Sequence, residues 1–151
     1  MIALAKLDHL NLLFFSFSEI HLPNTIYLEI TTDRHRPDAQ RLELFIKTHC
    51  IVHEDSQEDN DSPFSNILDE GEAQALLLAI KLNCAVLIDE RLGRKVARSN
   101  AIPVVGVMGV LLQAKEKGKI NAIKPLITQL LEHDYRLSDQ VIELVLQRAG
   151  E

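Results

Sequence analysis

The chain has no tryptophan, two tyrosines and five phenylalanines among its 151 residues. So few rings leave no platform on which successive bases of a single strand would stack, although phosphate contacts stay open. Cysteine is equally scarce. Cys50 and Cys84 lack metal-type spacing and read as reduced core thiols of a cytoplasmic protein. No apolar run reaches the roughly 18 residues of a membrane helix. Lys6, Asp8 and His9 interrupt the apolar N-terminus too early for the core of a signal peptide. The six histidines are scattered and form no HExxH pair, and no glycine-rich phosphate loop is present. There is neither an internal repeat nor a low-complexity tract.

What is there is ordinary for a globular protein: 46% hydrophobic and 25% charged residues, in a length that predicts one domain with a proper core. The formal net charge is −6, and Glu54, Asp55, Glu58, Asp59 and Asp61 supply five negative charges in one loop. That loop reads as solvated, or as a mobile lid or partner-binding segment. An acidic chain that handles nucleic acid needs metal ions or a local basic strip to offset phosphate repulsion.

The apolar pattern predicts a helix from Ile2 to about Phe14, a strand over Glu19 to Leu22 and a helix over Asn24 to Thr31 entered at Pro23. A further helix runs from Pro37 to about Thr48, and Cys50 to Val52 is a strand candidate.

The centre of the chain is DEGEAQALLLAIKLNCAVLIDERLGR, from Asp69 to Arg94. Ala73, Leu76, Leu77 and Ile80 define one helical face. Ala85 to Ile88 is a short apolar run, as expected of a strand covered on both faces. The sequence turns polar at Asp89, and open α/β sheets bind ligands beyond the carboxyl ends of their strands. Asp69-x-x-Glu72 is a variant of the capping box. A carboxylate turned to its own backbone is poorly placed for a cation, so Asp69 takes the cap and Glu72 the ligand role. Arg91, Arg94, Lys95 and Arg98 share one face of the next helix, with Leu92 and Val96 toward the core. That basic face reads either as solvated or as a phosphate contact beside the carboxylates.

Ile102 to Val107 is the next strand candidate, with Gly106 and Gly109 bracketing a turn into a helix over Val110 to Lys117. Gly118 ends that helix. Two more helices follow, about Ala122 to His133 and Asp139 to Ala149, the second capped by Ser138.

GEAQALLLAIKLNCAVLIDERLGRKVAR, IPVVGVMGVLLQAKEKGKI and RLSDQVIELVLQRAGE, in that order, resemble the PIN-like proteins close to the toxins of VapC-type toxin–antitoxin pairs. IALAKLDHLNLL and LPNTIYLEI fit the early helices. The resemblance implies a single α/β domain over residues 1–151, layered α/β/α around a mainly parallel sheet. It implies a ribonuclease dependent on Mg²⁺ or Mn²⁺. The matching acids are Glu29, Glu72 and Asp89, with Asp69 beside them. Members of that family usually open with a strand ending in a metal-binding Asp. Here that strand and its Asp are expected to be missing, through a late start codon or a truncation.

Phosphodiester cleavage requires an activated water, charge neutralisation at phosphorus and help for the leaving oxygen, which Mg²⁺ ions held by carboxylates supply. Glu72 and Asp89 are assigned as metal ligands, Glu29 as the residue that orients the water, and Arg91 and Arg94 as phosphate contacts. The implied partners are RNA, a cognate antitoxin and a second copy of the chain, without a membrane. An alternative stays open: a catalytically impaired PIN-like protein that acts through protein binding, for which Met1 to Phe15 and Asn24 to Phe45 are the surfaces.

Overall fold

A computed structural model describes residues 1–32, 38–57 and 63–151. Pro37, and Glu58, Asp59 and Asp61 of the acidic loop, lie outside the described residues. The chain divides into two compact units, Met1–Ser18 with Val107–Glu151, and Glu19–Gly106.

The first unit is helical. The expected long N-terminal helix is instead broken: α1 spans Ile2–Lys6, a 3₁₀ turn covers Leu10–Leu12, and α2 spans Leu13–Ser16. Asp8 adopts a left-handed conformation with φ 60°, which ends the right-handed hydrogen-bond ladder. The apolar stripe still reaches the core, with Leu4, Leu7, Leu10, Leu12 and Leu13 buried. α7 spans Val107–Glu116. It takes in Gly109, so the two glycines do not bracket a turn. Gly118, at φ 65°, closes α7 as the sequence predicts. α8 is Lys124–Glu132 and α9 is Asp139–Ala149. Ser138 Oγ accepts from Val141 N–H at 3.3 Å, which is the expected cap. α7 packs against α2 and α9.

The second unit is α/β. β1, His21–Pro23, pairs in parallel with β2, Ile51–His53. A parallel pair needs a long crossover, supplied by α3, Asn24–Thr32, and α4, Ala39–His49. Part of the acidic loop is structural. Asp55 accepts from Thr25 N–H at 3.0 and 3.1 Å and from the Thr25 hydroxyl at 2.8 Å, fixing the start of α3. α5 spans Glu70–Leu82. β3, Val86–Leu87, pairs in parallel with β4, Val104–Val105, joined through α6, Arg91–Ser99. The ladders are shorter than the apolar runs that carry them.

Phe64, Leu68, Leu76, Val86, Ile88 and Ile102 form the core of this unit with Ala73, Ala79 and Ala97. Two predicted faces are corrected. Ile80 is 51% exposed and Leu92 is 44% exposed. The buried residues of α5 are Gly71, Ala73, Gln74, Leu76 and Ala79, and those of α6 are Gly93 and Ala97. Small side chains let the backbones approach closely, and closeness rather than side-chain size decides which face turns inward. Gln74 is buried but satisfied: its amide donates to Ser56 O at 3.1 Å and accepts from Ser56 N–H at 2.8 Å. Among the described residues, no helix is long and apolar enough to cross a membrane.

Candidate active site

The start of α5 anchors the site. Asp69 lies outside the helix with extended backbone, and its Oδ1 accepts from Glu72 N–H at 2.8 Å. Asp69 is therefore the N-cap expected from the spacing. The Glu72 side chain runs toward α6. Its Oε1 lies 3.0 Å from the point that a Cβ on Gly93 would occupy.

The same relation recurs twice. Glu29, on α3, places both carboxylate oxygens 2.9 Å from the point of a Cβ on Gly71. Asp89 follows β3, and its Oδ1 lies 2.8 Å from the point of a Cβ on Gly106, just after β4. Real Cβ atoms essentially never sit as close to another heavy atom as the Glu29 and Asp89 oxygens do to these points, and the Glu72 approach is tighter than nearly all real contacts. Glu29 and Asp89 thus occupy space that a glycine leaves open, whereas the space at Gly93 is taken first by the Ile88 side chain, with Glu72 at its edge. All three lie in the Glu19–Gly106 unit.

Arg94 Nη1 comes within 3.1 Å of the Gly106 point that Asp89 also approaches, so a guanidinium and a carboxylate converge there. Arg94 is half-buried, while Arg91, Lys95 and Arg98 are exposed along α6. Arg91 is the first residue of that helix.

The charges are coupled. Burial raises the Glu72 carboxyl above its ordinary range, with Asp69 and then Glu90 adding repulsion. Burial also raises Glu29, followed by Asp69 and Glu70. Glu29 is exposed as a whole residue, with both carboxylate oxygens turned toward Gly71. Both shifts come first from burial and next from the like charge of neighbouring carboxylates.

Glu70 and Glu90 escaped the sequence reading. Their signal was adjacency. Glu70 follows the cap Asp69. Glu90 itself caps α6, accepting from Gly93 N–H at 2.8 Å, and so brings its charge to the glycine that faces Glu72.

The donor chemistry of these acids is all oxygen, which suits a hard divalent cation. Among the described residues, however, no three His, Cys, Asp or Glu side chains are grouped closely enough to hold one ion. Asp69 adds its charge to both Glu29 and Glu72, but among the described residues the acids do not form a complete ligand set.

A protein-family model described as DUF3368, PIN domain, matches residues 1–151. No curated protein matches the chain. No solved structure matches it either. The match to the family model spans the whole chain, and the chain belongs to the PIN domain family, whose fold is of the nuclease type.

Proposed function

We propose that this protein is a divalent-cation-dependent endoribonuclease and the toxin component of a toxin–antitoxin pair. The observation that carries the enzymatic reading is the matching of Glu29, Glu72 and Asp89 to Gly71, Gly93 and Gly106. Glu29 and Asp89, on separate segments, fill spaces kept free of a side chain, and Glu72 borders a third that Ile88 fills.

A bound Mg²⁺ or Mn²⁺ supplies charge neutralisation at phosphorus and makes water a better nucleophile. Glu72 and Asp89 would hold it, with Asp69 beside them. Asp69 has one oxygen committed to the Glu72 N–H, so its share is through the other. Glu29 orients the attacking water and takes its proton, a role suited to a carboxyl with raised proton affinity. Water oxygen bonds to phosphorus, one P–O ester bond breaks, and the leaving oxygen is protonated from solvent. Arg94, held beside Asp89, positions the scissile phosphate, and Arg91 binds a flanking one.

The partner reading rests on a different surface. Leu28 on α3 is 52% exposed and Leu44 on α4 is 68% exposed, on helices that pack against each other. Exposed apolar side chains on these two helices suit an antitoxin peptide or a second copy of the chain. A second functional reading is favoured by the incomplete ligand grouping: a catalytically impaired PIN-like protein that works through this binding surface.

The test is calorimetric titration of Mn²⁺ together with cleavage of a mixed RNA substrate, for the parent, Asp89→Asn and Glu72→Gln. Binding and cleavage in the parent, both lost in the variants, support the enzyme. Silence of the parent in both assays rejects catalysis and favours the binding protein.

A further inference from the structure

Outside the carboxylate neighbourhood, β1 and β2 bring two imidazoles together. In the parallel register His21 stands opposite Ile51 and Pro23 opposite His53. Residues two apart on a strand share a face, so His53 lies diagonally across from His21 on the same face. His21 Nδ1 and His53 Nε2 are 2.9 Å apart, and the ring centroids are 5.1 Å apart with planes tilted by 51°. The other nitrogen of His21, Nε2, faces Glu19 Oε2 at 3.4 Å.

We propose that His21 and His53 form a binding site for a transition-metal dication of the imidazole-preferring class, Zn²⁺ or Cu²⁺, with Glu19 as the residue that orients His21. Three features carry this. First, metal–nitrogen bonds of about 2.0–2.1 Å put neighbouring ligands on one ion about 3 Å apart, close to the observed 2.9 Å. The proton between the rings moves through solvent to His53 Nδ1, and each ring turns outward to aim its free lone pair at the ion. Second, Glu19 attracts the His21 proton to Nε2 and leaves Nδ1 with its lone pair toward His53. Metal-binding histidines typically donate their remaining N–H to a carboxylate in this way. Third, the groups facing the pair favour a neutral His53: burial lowers its proton affinity, followed by His21 and Lys81. Neutral imidazole is the form that binds metal.

The site differs in donor type from the acids around α5. Nitrogen donors select Zn²⁺ and Cu²⁺, whereas carboxylates suit Mg²⁺ and Mn²⁺. The two neighbourhoods therefore sort ions by chemistry. With two protein ligands, water completes the coordination, and the half-buried positions of His21 and His53 leave access for it.

The experiment titrates Cu²⁺ alone into the full chain, followed by electron paramagnetic resonance of the frozen complex and by calorimetry. The expected spectrum of the first equivalent carries hyperfine structure from two imidazole nitrogens. His21→Asn and His53→Gln should each lose that two-nitrogen pattern and weaken binding at least about tenfold. Glu19→Gln, on a side chain that is 66% exposed and tolerant of change, should retain the pattern but weaken binding by about 10- to 100-fold. Asp89→Asn should leave the pattern intact. An unchanged spectrum in both histidine variants, a first equivalent without two nitrogens, or a signal lost in Asp89→Asn overturns the proposal. Circular dichroism melts confirm that the variants being compared are folded.

Discussion

At the scale of single residues, glycine and glutamate explain each other. A Cβ on Gly71 would meet Glu29 Oε1 and Oε2 at 2.9 Å and Ile26 Cδ1 at 3.0 Å. These are the far ends of flexible side chains, so the fold adjusts cheaply while the carboxylate is displaced. Gly71→Ala is expected to change stability by no more than about 1 kcal/mol, with better helix propensity offsetting the contact. Cleavage of RNA should fall about 10- to 100-fold, the order expected of a misplaced catalytic group. Paired denaturation and cleavage assays check this split, and parallel losses of both would contradict it. Glu72 gives a pH test. Its carboxyl is raised from 4.5, so its contribution to stability is present below that value and lost as pH rises through the folded value. Glu72→Gln removes the loss. In cation-free buffer the variant should be more stable than the parent near pH 7, by under about 1 kcal/mol because solvent screens the site. The gap should close toward pH ~4. Thermal melts at both pH values decide the matter, and a less stable variant near neutrality refutes the argument.

At the scale of elements, helix ends divide into those capped locally and those capped from afar. Asp69 caps α5 and Ser138 caps α9 through bonds spanning three residues, and both follow from the local sequence. α8 has Ile123 at its cap position, with no side-chain bond of its own. Its N–H groups are met by Glu151, whose carboxylate accepts from Ile123 N–H at 2.7 Å and Lys124 N–H at 3.0 Å. Lys115 Nζ donates to the same carboxylate at 2.6 Å. That lysine bond first, and the two backbone N–H groups next, lower the Glu151 carboxyl to about 2. A lowered folded value stabilises above the ordinary carboxylate range and loses that effect as pH falls toward about 2. Glu151→Gln should therefore reduce the melting temperature at neutral pH and flatten its decline on acidification. Melting curves measured across the acid range test this, and identical pH profiles for parent and variant would remove Glu151 as the cap.

At the scale of the whole molecule, a net charge of −6 opposes approach to RNA. Under the nuclease reading, affinity depends on the cation and on the basic face of α6. Chelation of divalent cations should abolish cleavage and weaken RNA binding at least about tenfold. Arg94→Gln should lower the salt dependence of binding by about 0.7 in the log–log slope, the value for one lost phosphate contact on a single strand. Affinity measured against salt concentration reads this directly. An unchanged slope places Arg94 outside the RNA contact and leaves it as a partner for Asp89.

The sequence by itself determined what neighbours along the chain decide. Asp69 three residues before Glu72, Ser138 before Val141, Gly118 at the end of α7 and the apolar periodicity of the helices all act within about one helical turn. The proposal of Glu29, Glu72 and Asp89 as site acids rests on the order of the motifs that bear them. Only the tertiary structure decided that Glu29 lies against Gly71, that Asp55 holds Thr25, that Glu151 caps α8 and that His21 meets His53. It also decided that Ile80 and Leu92 turn outward while Gly93 and Ala97 turn in. These relations join residues distant in sequence, and their geometry follows from how closely whole elements pack. Close packing is a sum over many contacts at once, so a hydrophobic position two turns along a helix does not reveal it.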